Sequence, residues 1–157
     1  MKARQFGVGV FGLAAIILWA VGLCLPDARA EETAYATVKA ASHFAIGGVG
    51  VAGIVSQEEL AMRQIRDGPQ AETQLRQLLR EATPAGQMYA LFALRQLELA
   101  DYATLSATYR QSSTPVPTIS GCNIHTQPMS QAVNWIDQYA SKMRTWEKTG
   151  PSPKTTR

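Results

Sequence analysis

Apolar positions recur at helical spacing along most of this chain. Ala34, Tyr35, Val38, Ala41 and Ala45 fall three to four residues apart and predict an amphipathic helix over 31–45. Four glycines in seven positions, within residues 47–53, then stop it. Ser56 opens the next helix as a capping box, its hydroxyl accepting from the third backbone N–H while Glu59 reaches back. Glu58 and Glu59 at its start, and Arg63 and Arg66 at its end, suit the helix dipole, and Gly68 and Pro69 end it.

Leu75, Leu78, Leu79 and Ala82 lie on one face of a further helix, with Gln74, Arg76, Gln77, Arg80 and Glu81 on the other. Thr83 and Pro84 restart the chain as N-cap and first helical residue, where a missing N–H costs nothing. Residues 88–94 (MYALFAL) are all apolar, so this helix must be covered on several sides and is expected at the centre. Asp101 begins a short helix with Tyr102, Leu105 and Tyr109 inward. Residues 111–128, with three prolines, a glycine and several Ser and Thr, read as a long connection with a brief extended piece around 117–119. A last helix from about Ser130 sets Ala132, Ile136, Tyr139, Ala140 and Met143 on one face, and residues 150–157 read as a disordered tail.

These segments predict an all-α fold: a compact bundle of five to six helices over 31–149, preceded by a signal-peptide helix. A chain of this size buries enough surface for one core without staples. The unit over 71–97, an amphipathic helix, a Thr-Pro turn and a buried helix, resembles a HEAT-type antiparallel helical hairpin. No second copy follows at a fixed period. The succession FAIGGVGVAG, S-x-E-E, ATPAGQMYALFALR and SGC also resembles a group of small exported bacterial proteins of unassigned function. That resemblance brings no catalytic residue with it.

The N-terminus changes the charge balance. Lys2 and Arg4 precede an uncharged apolar run over 6–25, Pro26 breaks it, and Ala28-Arg29-Ala30 gives a small-x-small exit. A basic start, a greasy middle and a small-residue exit make a secretory signal peptide cleaved after Ala30. Left uncleaved, residues 6–25 are long enough to anchor the chain in a membrane. Cys24 is a poor lipidation site because Leu23 precedes it where a small residue is wanted. The whole chain carries a formal charge of +3. Without residues 1–30 it is nearly neutral, and no basic stripe interleaved with aromatics remains to bind nucleic acid. The implied location is exported, either periplasmic or extracellular, or membrane-anchored if the leader stays.

Candidate chemistry is sparse. Gly48, Gly50 and Gly53 spell G-x-G-x-x-G, but a dinucleotide site needs the helix to begin within that motif, and here it begins at Ser56. A compact glycine turn with closely packed backbone is the expected role, with contact to a membrane or partner over 44–55 as another. Cys122 and His125 could supply two metal ligands, and His43 a third; a thiolate beside an imidazole could also be a nucleophilic pair. Against these stand a buried structural thiol, which is the leading reading, and an intermolecular disulfide giving a Cys122-linked dimer. Trp135, Tyr139 and Trp146 on the last helix either pack on the core or form a partner-binding strip. Paired catalytic carboxylates, a G-x-S-x-G elbow and H-E-x-x-H are absent from the sequence.

The expected function is therefore a small exported, non-catalytic module that binds another envelope protein, with no cofactor and no nucleic acid. Two alternatives stand beside it. One is a thiol- or metal-dependent enzyme centred on Cys122 and His125. The other is a membrane-anchored accessory subunit of a larger complex, held through residues 6–25.

Overall fold

The computed structural model describes residues 28–149. The apolar run over 6–25, the rest of the expected leader up to residue 27, and the tail over 150–157 lie outside the described residues. The expected cleavage point after Ala30 falls in the first turn of the first helix. Among the described residues the order is α1 (Ala28–Lys39), α2 (Gln57–Asp67), α3 (Ala71–Glu81), α4 (Pro84–Gln96), α5 (Tyr102–Arg110), β1 (Pro115–Ser120), β2 (Asn123–Pro128) and α6 (Met129–Thr149).

The two strands overturn the all-α expectation. They pair antiparallel from Ser120 opposite Asn123 to Pro115 opposite Pro128. Two residues, Gly121 and Cys122, make the turn. Gly121 takes φ +57° and Cys122 stays at negative φ, the pattern of a type II′ turn, whose twist matches the flanking strands. The prolines that made 111–128 read as a loop are tolerated for a geometric reason. In this register Ser120, Thr118 and Val116 exchange hydrogen bonds with β2, while Pro115, Pro117 and Ile119 turn their backbone groups the other way. Pro117 thus lacks its N–H where β2 does not need it. Its carbonyl accepts from Phe44 N at 2.8 Å, and Ile119 N donates to Phe44 O at 2.9 Å. The residue before the glycine loop therefore covers the outer edge of β1. The helical bundle is real, but its end is closed by a hairpin rather than by more helix.

α4 is the hub. Met88, Tyr89, Ala90, Leu91, Phe92, Ala93 and Leu94 are all fully buried, enclosed by the other helices and β1. Thr83 caps α4 through Gly86 N (3.1 Å) with Pro84 in the first turn, and the same hydroxyl donates to Ala41 O at 2.6 Å. That second bond pins the end of α1 to the α3–α4 turn. The two helices come so close that a Cβ at Gly86 would lie 2.4 Å from the Val38 carbonyl oxygen. α3 and α4 do pack together across the turn at Ala82 and Thr83, but within this mixed fold and not as the hairpin of an all-helical array.

The other helices are tied by charge. Lys39 on α1 pairs with Glu81 on α3 (2.7 Å), Arg76 on α3 with Asp101 ahead of α5 (2.8 Å), and Arg144 on α6 with Asp67 on α2 (3.0 Å). Arg110 on α5 pairs with Asp137 on α6. Arg66, buried, reaches Gln96 Oε1 at 2.6 Å, and Gln96 donates to Ala140 O, joining α2, α4 and α6 through their polar groups.

Candidate functional site: the uncharged end

Two segments far apart in sequence meet at the hairpin end, and neither carries a formal charge. No Asp, Glu, Lys or Arg falls between Lys39 and Glu58, or between Arg110 and Asp137. The first segment is the glycine loop, the second the hairpin with the start of α6. Phe44 bridges to β1, and Gly50 N donates to Gly121 O at 2.9 Å, so the tips of the loop and the hairpin are joined.

The loop is built, not slack. Val49 and Ile54 exchange backbone hydrogen bonds at 2.9 and 3.0 Å, making a miniature hairpin. Gly48 must lack a side chain because a Cβ there would sit 2.8 Å from Gly53 O. Gly47, Gly50 and Gly53 take positive φ, open to glycine at little cost. The glycines thus serve a folded turn with closely packed backbone, and α2 begins beyond them at Gln57 with Ser56 as its cap.

Three contacts hold the base of the loop to the core. The Tyr89 hydroxyl, carried by the buried α4, accepts from Ala45 N at 3.0 Å and donates to Ala45 O at 2.9 Å. One side chain thereby satisfies both backbone groups of a buried residue. Burial pushes the Tyr89 phenol up to about 12, beyond what its bonds to Ser56 and Ala45 offset, and the nearby Glu58 and Glu59 add to the rise. The third contact is Glu59, whose carboxylate accepts from Gly47 N at 2.7 Å and also binds Arg63. Ser56 caps α2 as expected, accepting from Glu59 N at 3.1 Å. The partner of Glu59 in the loop is a long-range bond that no local capping pattern announces.

Between hairpin and helices lies a cleft of about 130 Å³ lined by Phe44, Ile46, Thr118, His125, Gln127 and Trp135, among others. Gln127 donates to Thr118 Oγ1 at 3.1 Å across the two strands. Trp135, half-buried on α6, is both wall and core. Its ring stacks on Phe92 at 6.0 Å and on Tyr139 at 5.3 Å, while Phe44 meets it edge-on at 6.0 Å. Tyr139 is 40% exposed, with Lys142 Nζ 5.4 Å from its ring centre. The stack therefore runs from the buried rod to the surface, serving core and exposed face together. The side chain of Trp146 lies outside the described residues.

Cys122 is exposed in the hairpin turn, which removes the buried-thiol reading. His125 is on β2 opposite Thr118 and borders the cleft, whereas His43 lies next to Ser42, whose hydroxyl is 2.9 Å from its Nδ1. Among the described residues no group of three or more His, Cys, Asp or Glu is arranged to hold a metal ion. Among the same residues no helix is long and apolar enough to cross a membrane.

The most exposed large apolar side chains gather at this end: Val51 at 99%, Ile54 at 66% and Ile124 at 70%. Sequence periodicity placed none of them, since each sits in a turn or on a strand read as loop. The signal available was the pair of charge-free segments, which become meaningful only when the fold brings them together. No protein-family model, curated protein or solved structure matches this chain.

Proposed function

We propose that the protein is an exported, non-catalytic interaction module that docks another envelope protein through its uncharged end. Val51, Ile54 and Ile124 carry this reading. They are large, apolar and exposed on a tip that the fold fixes by Tyr89, Glu59 and the bond from Gly50 to Gly121. A soluble domain gains nothing by holding such groups in water, and clustered apolar exposure marks contact surfaces. Covering a single Val or Ile side chain contributes about 1.5–3 kcal/mol, so these three supply much of a modest binding energy. The half-exposed Tyr139 and the aromatic cleft extend the surface along α6. Export is supported by the basic start, apolar run and small-residue exit of residues 1–30, and the native N-terminus read by mass spectrometry checks it, with Glu31 as the expected first residue.

The docking reading is tested with a photoreactive residue at position 51 and, separately, at position 80, on the charged outer face of α3. Exposure to cell-envelope extract should yield one discrete cross-linked partner from position 51 and none from position 80. Equal or absent labelling from both positions counts against it.

A further inference from the structure

The two edges of the β-sheet are treated differently. On β1 the outer edge is managed: Pro115 and Pro117 lack donors, and Phe44 bonds to what remains. On β2 the outer edge is open. Because Asn123, His125 and Gln127 exchange bonds with β1, Ile124 and Thr126 point their N–H and C=O groups away from the sheet. Among the described residues neither makes a backbone hydrogen bond outside the hairpin. Proteins usually blunt such an edge with a lysine, an inward charge or a covering segment. β2 has no Asp, Glu, Lys or Arg, and its one safeguard is Pro128 at the far end.

We propose that this edge pairs with the β2 edge of a second copy, joining two hairpins into one four-stranded antiparallel sheet across a two-fold axis. Two features select a second copy over other occupants. A two-fold interface sets a surface against itself, so any net charge on it would repel its own image; the segment between Arg110 and Asp137 carries no formal charge. The donors and acceptors are also self-complementary. Ile124 can exchange both bonds with Thr126 of the partner subunit, and Thr126 with Ile124 of the partner subunit. His125 then faces His125 of the partner subunit on the axis, in a non-hydrogen-bonded pair whose Cα atoms lie about 4.5 Å apart. In this register Cys122 lies opposite Pro128 of the partner subunit, so the dimer needs no disulfide. The inference goes beyond the docking reading, because it uses the backbone of β2, Ile124 included, rather than the side chains of Val51 and Ile54.

Sedimentation in reductant, with the protein as isolated from its cells, tests it. The wild type should show a concentration-dependent monomer–dimer equilibrium. Thr126→Pro removes two symmetry-related edge bonds but no bond to β1, as Pro117 does on the other strand. It should raise the dissociation constant by at least about tenfold while leaving unchanged the melting temperature measured at concentrations where both proteins are monomeric. His125→Cys, made with Cys122→Ser and transferred from reductant to air-saturated buffer, should be oxidised by dissolved oxygen to a disulfide-linked dimer, because the expected Cα separation fits a disulfide. Val51→Asp with Ile54→Asp should dimerise normally, which separates failure of the dimer from failure of the docking surface. A wild type that stays monomeric at all concentrations overturns the inference. So does a dimer that dissociates in reductant, or one that survives Thr126→Pro and leaves His125→Cys uncross-linked. Binding of an extended peptide from another protein to this edge, in place of self-pairing, overturns it as well.

Discussion

The helical body and the hairpin end of this molecule solve opposite problems. The body hides the all-apolar stretch 88–94 of α4 and ties the surrounding helices with ion pairs between α1 and α3, α3 and the residue ahead of α5, α5 and α6, and α6 and α2. Those charges lie on the surface, where each pair contributes little to stability and much to solubility and register. At the hairpin end the two segments over 40–57 and 111–136 carry no formal charge, Val51 is bare, and one strand edge is open. A fold that needed only to be stable and soluble would treat both ends alike. On the docking proposal, the body holds the fold and the bare end is left to meet a partner. Tyr89 is the joint between the two, rooted in the buried rod and gripping the first turn of the loop.

Damage to the body should cost folding. The largest effect is expected from Phe92→Ala, which empties a fully buried site touching both Phe44 and Trp135. It should lose about 3–5 kcal/mol in urea unfolding. Gly86→Ala forces a methyl against the Val38 carbonyl and should cost about 1–3 kcal/mol, with α1 and α4 pushed apart. Tyr89→Phe keeps the packing but leaves the Ala45 N–H and C=O without their partner. It should cost about 2 kcal/mol and raise hydrogen exchange at Ala45 and along the loop, with α3 unaffected.

The smallest of these effects is electrostatic. Asp67 is lowered to about 2 from an ordinary 3.8, chiefly by its bond to Arg66 and further by Arg144, against the opposing effect of burial. A carboxyl depressed in the folded state stabilises above its unfolded value, and that contribution is lost as pH falls from about 4 through 2. Asp67 is half exposed, so solvent screening limits the loss to about 1 kcal/mol. The stability gap between wild type and Asp67→Asn should close over that acid range and stay constant above pH 5; a gap that does not change with pH refutes the assignment.

Most of the body was legible in the sequence because its causes are local, but the helix expected over 31–45 ends at Lys39, and Phe44 bridges to β1 instead. Seven consecutive apolar residues must be covered on several sides, and Thr83 with Pro84, or Ser56 three residues before Glu59, are helix-start signals that act within one turn. The hairpin was hidden because its prolines are judged by a rule that depends on the neighbour. Pro117 breaks a strand whose N–H must bond to the next one, and is harmless where that N–H would face Phe44. β2, reading Asn-Ile-His-Thr-Gln-Pro, lacks the alternation of a half-buried strand because little covers it; Gly121 followed by one turn residue was the remaining cue. Cys122 was expected in the interior on the habits of cysteine, yet position in a two-residue turn leaves it no interior to enter. Of the aromatic strip on the last helix, spacing found Trp135 and Tyr139, but only the structure shows one ring shared between core and cleft.

The division of labour between holding and meeting is tested most directly by Val51→Asp combined with Ile54→Asp, compared with Arg80→Glu on the outer face of α3. Thermal melting and binding to the partner cross-linked from position 51 are measured on the same samples. Both variants should melt within about 0.5 kcal/mol of the wild type, as surface changes do. Binding should fall at least about tenfold for the loop variant and stay unchanged for Arg80→Glu. Undiminished binding by a loop variant that remains folded would contradict the account, because the uncharged end would then be bare without meeting anything.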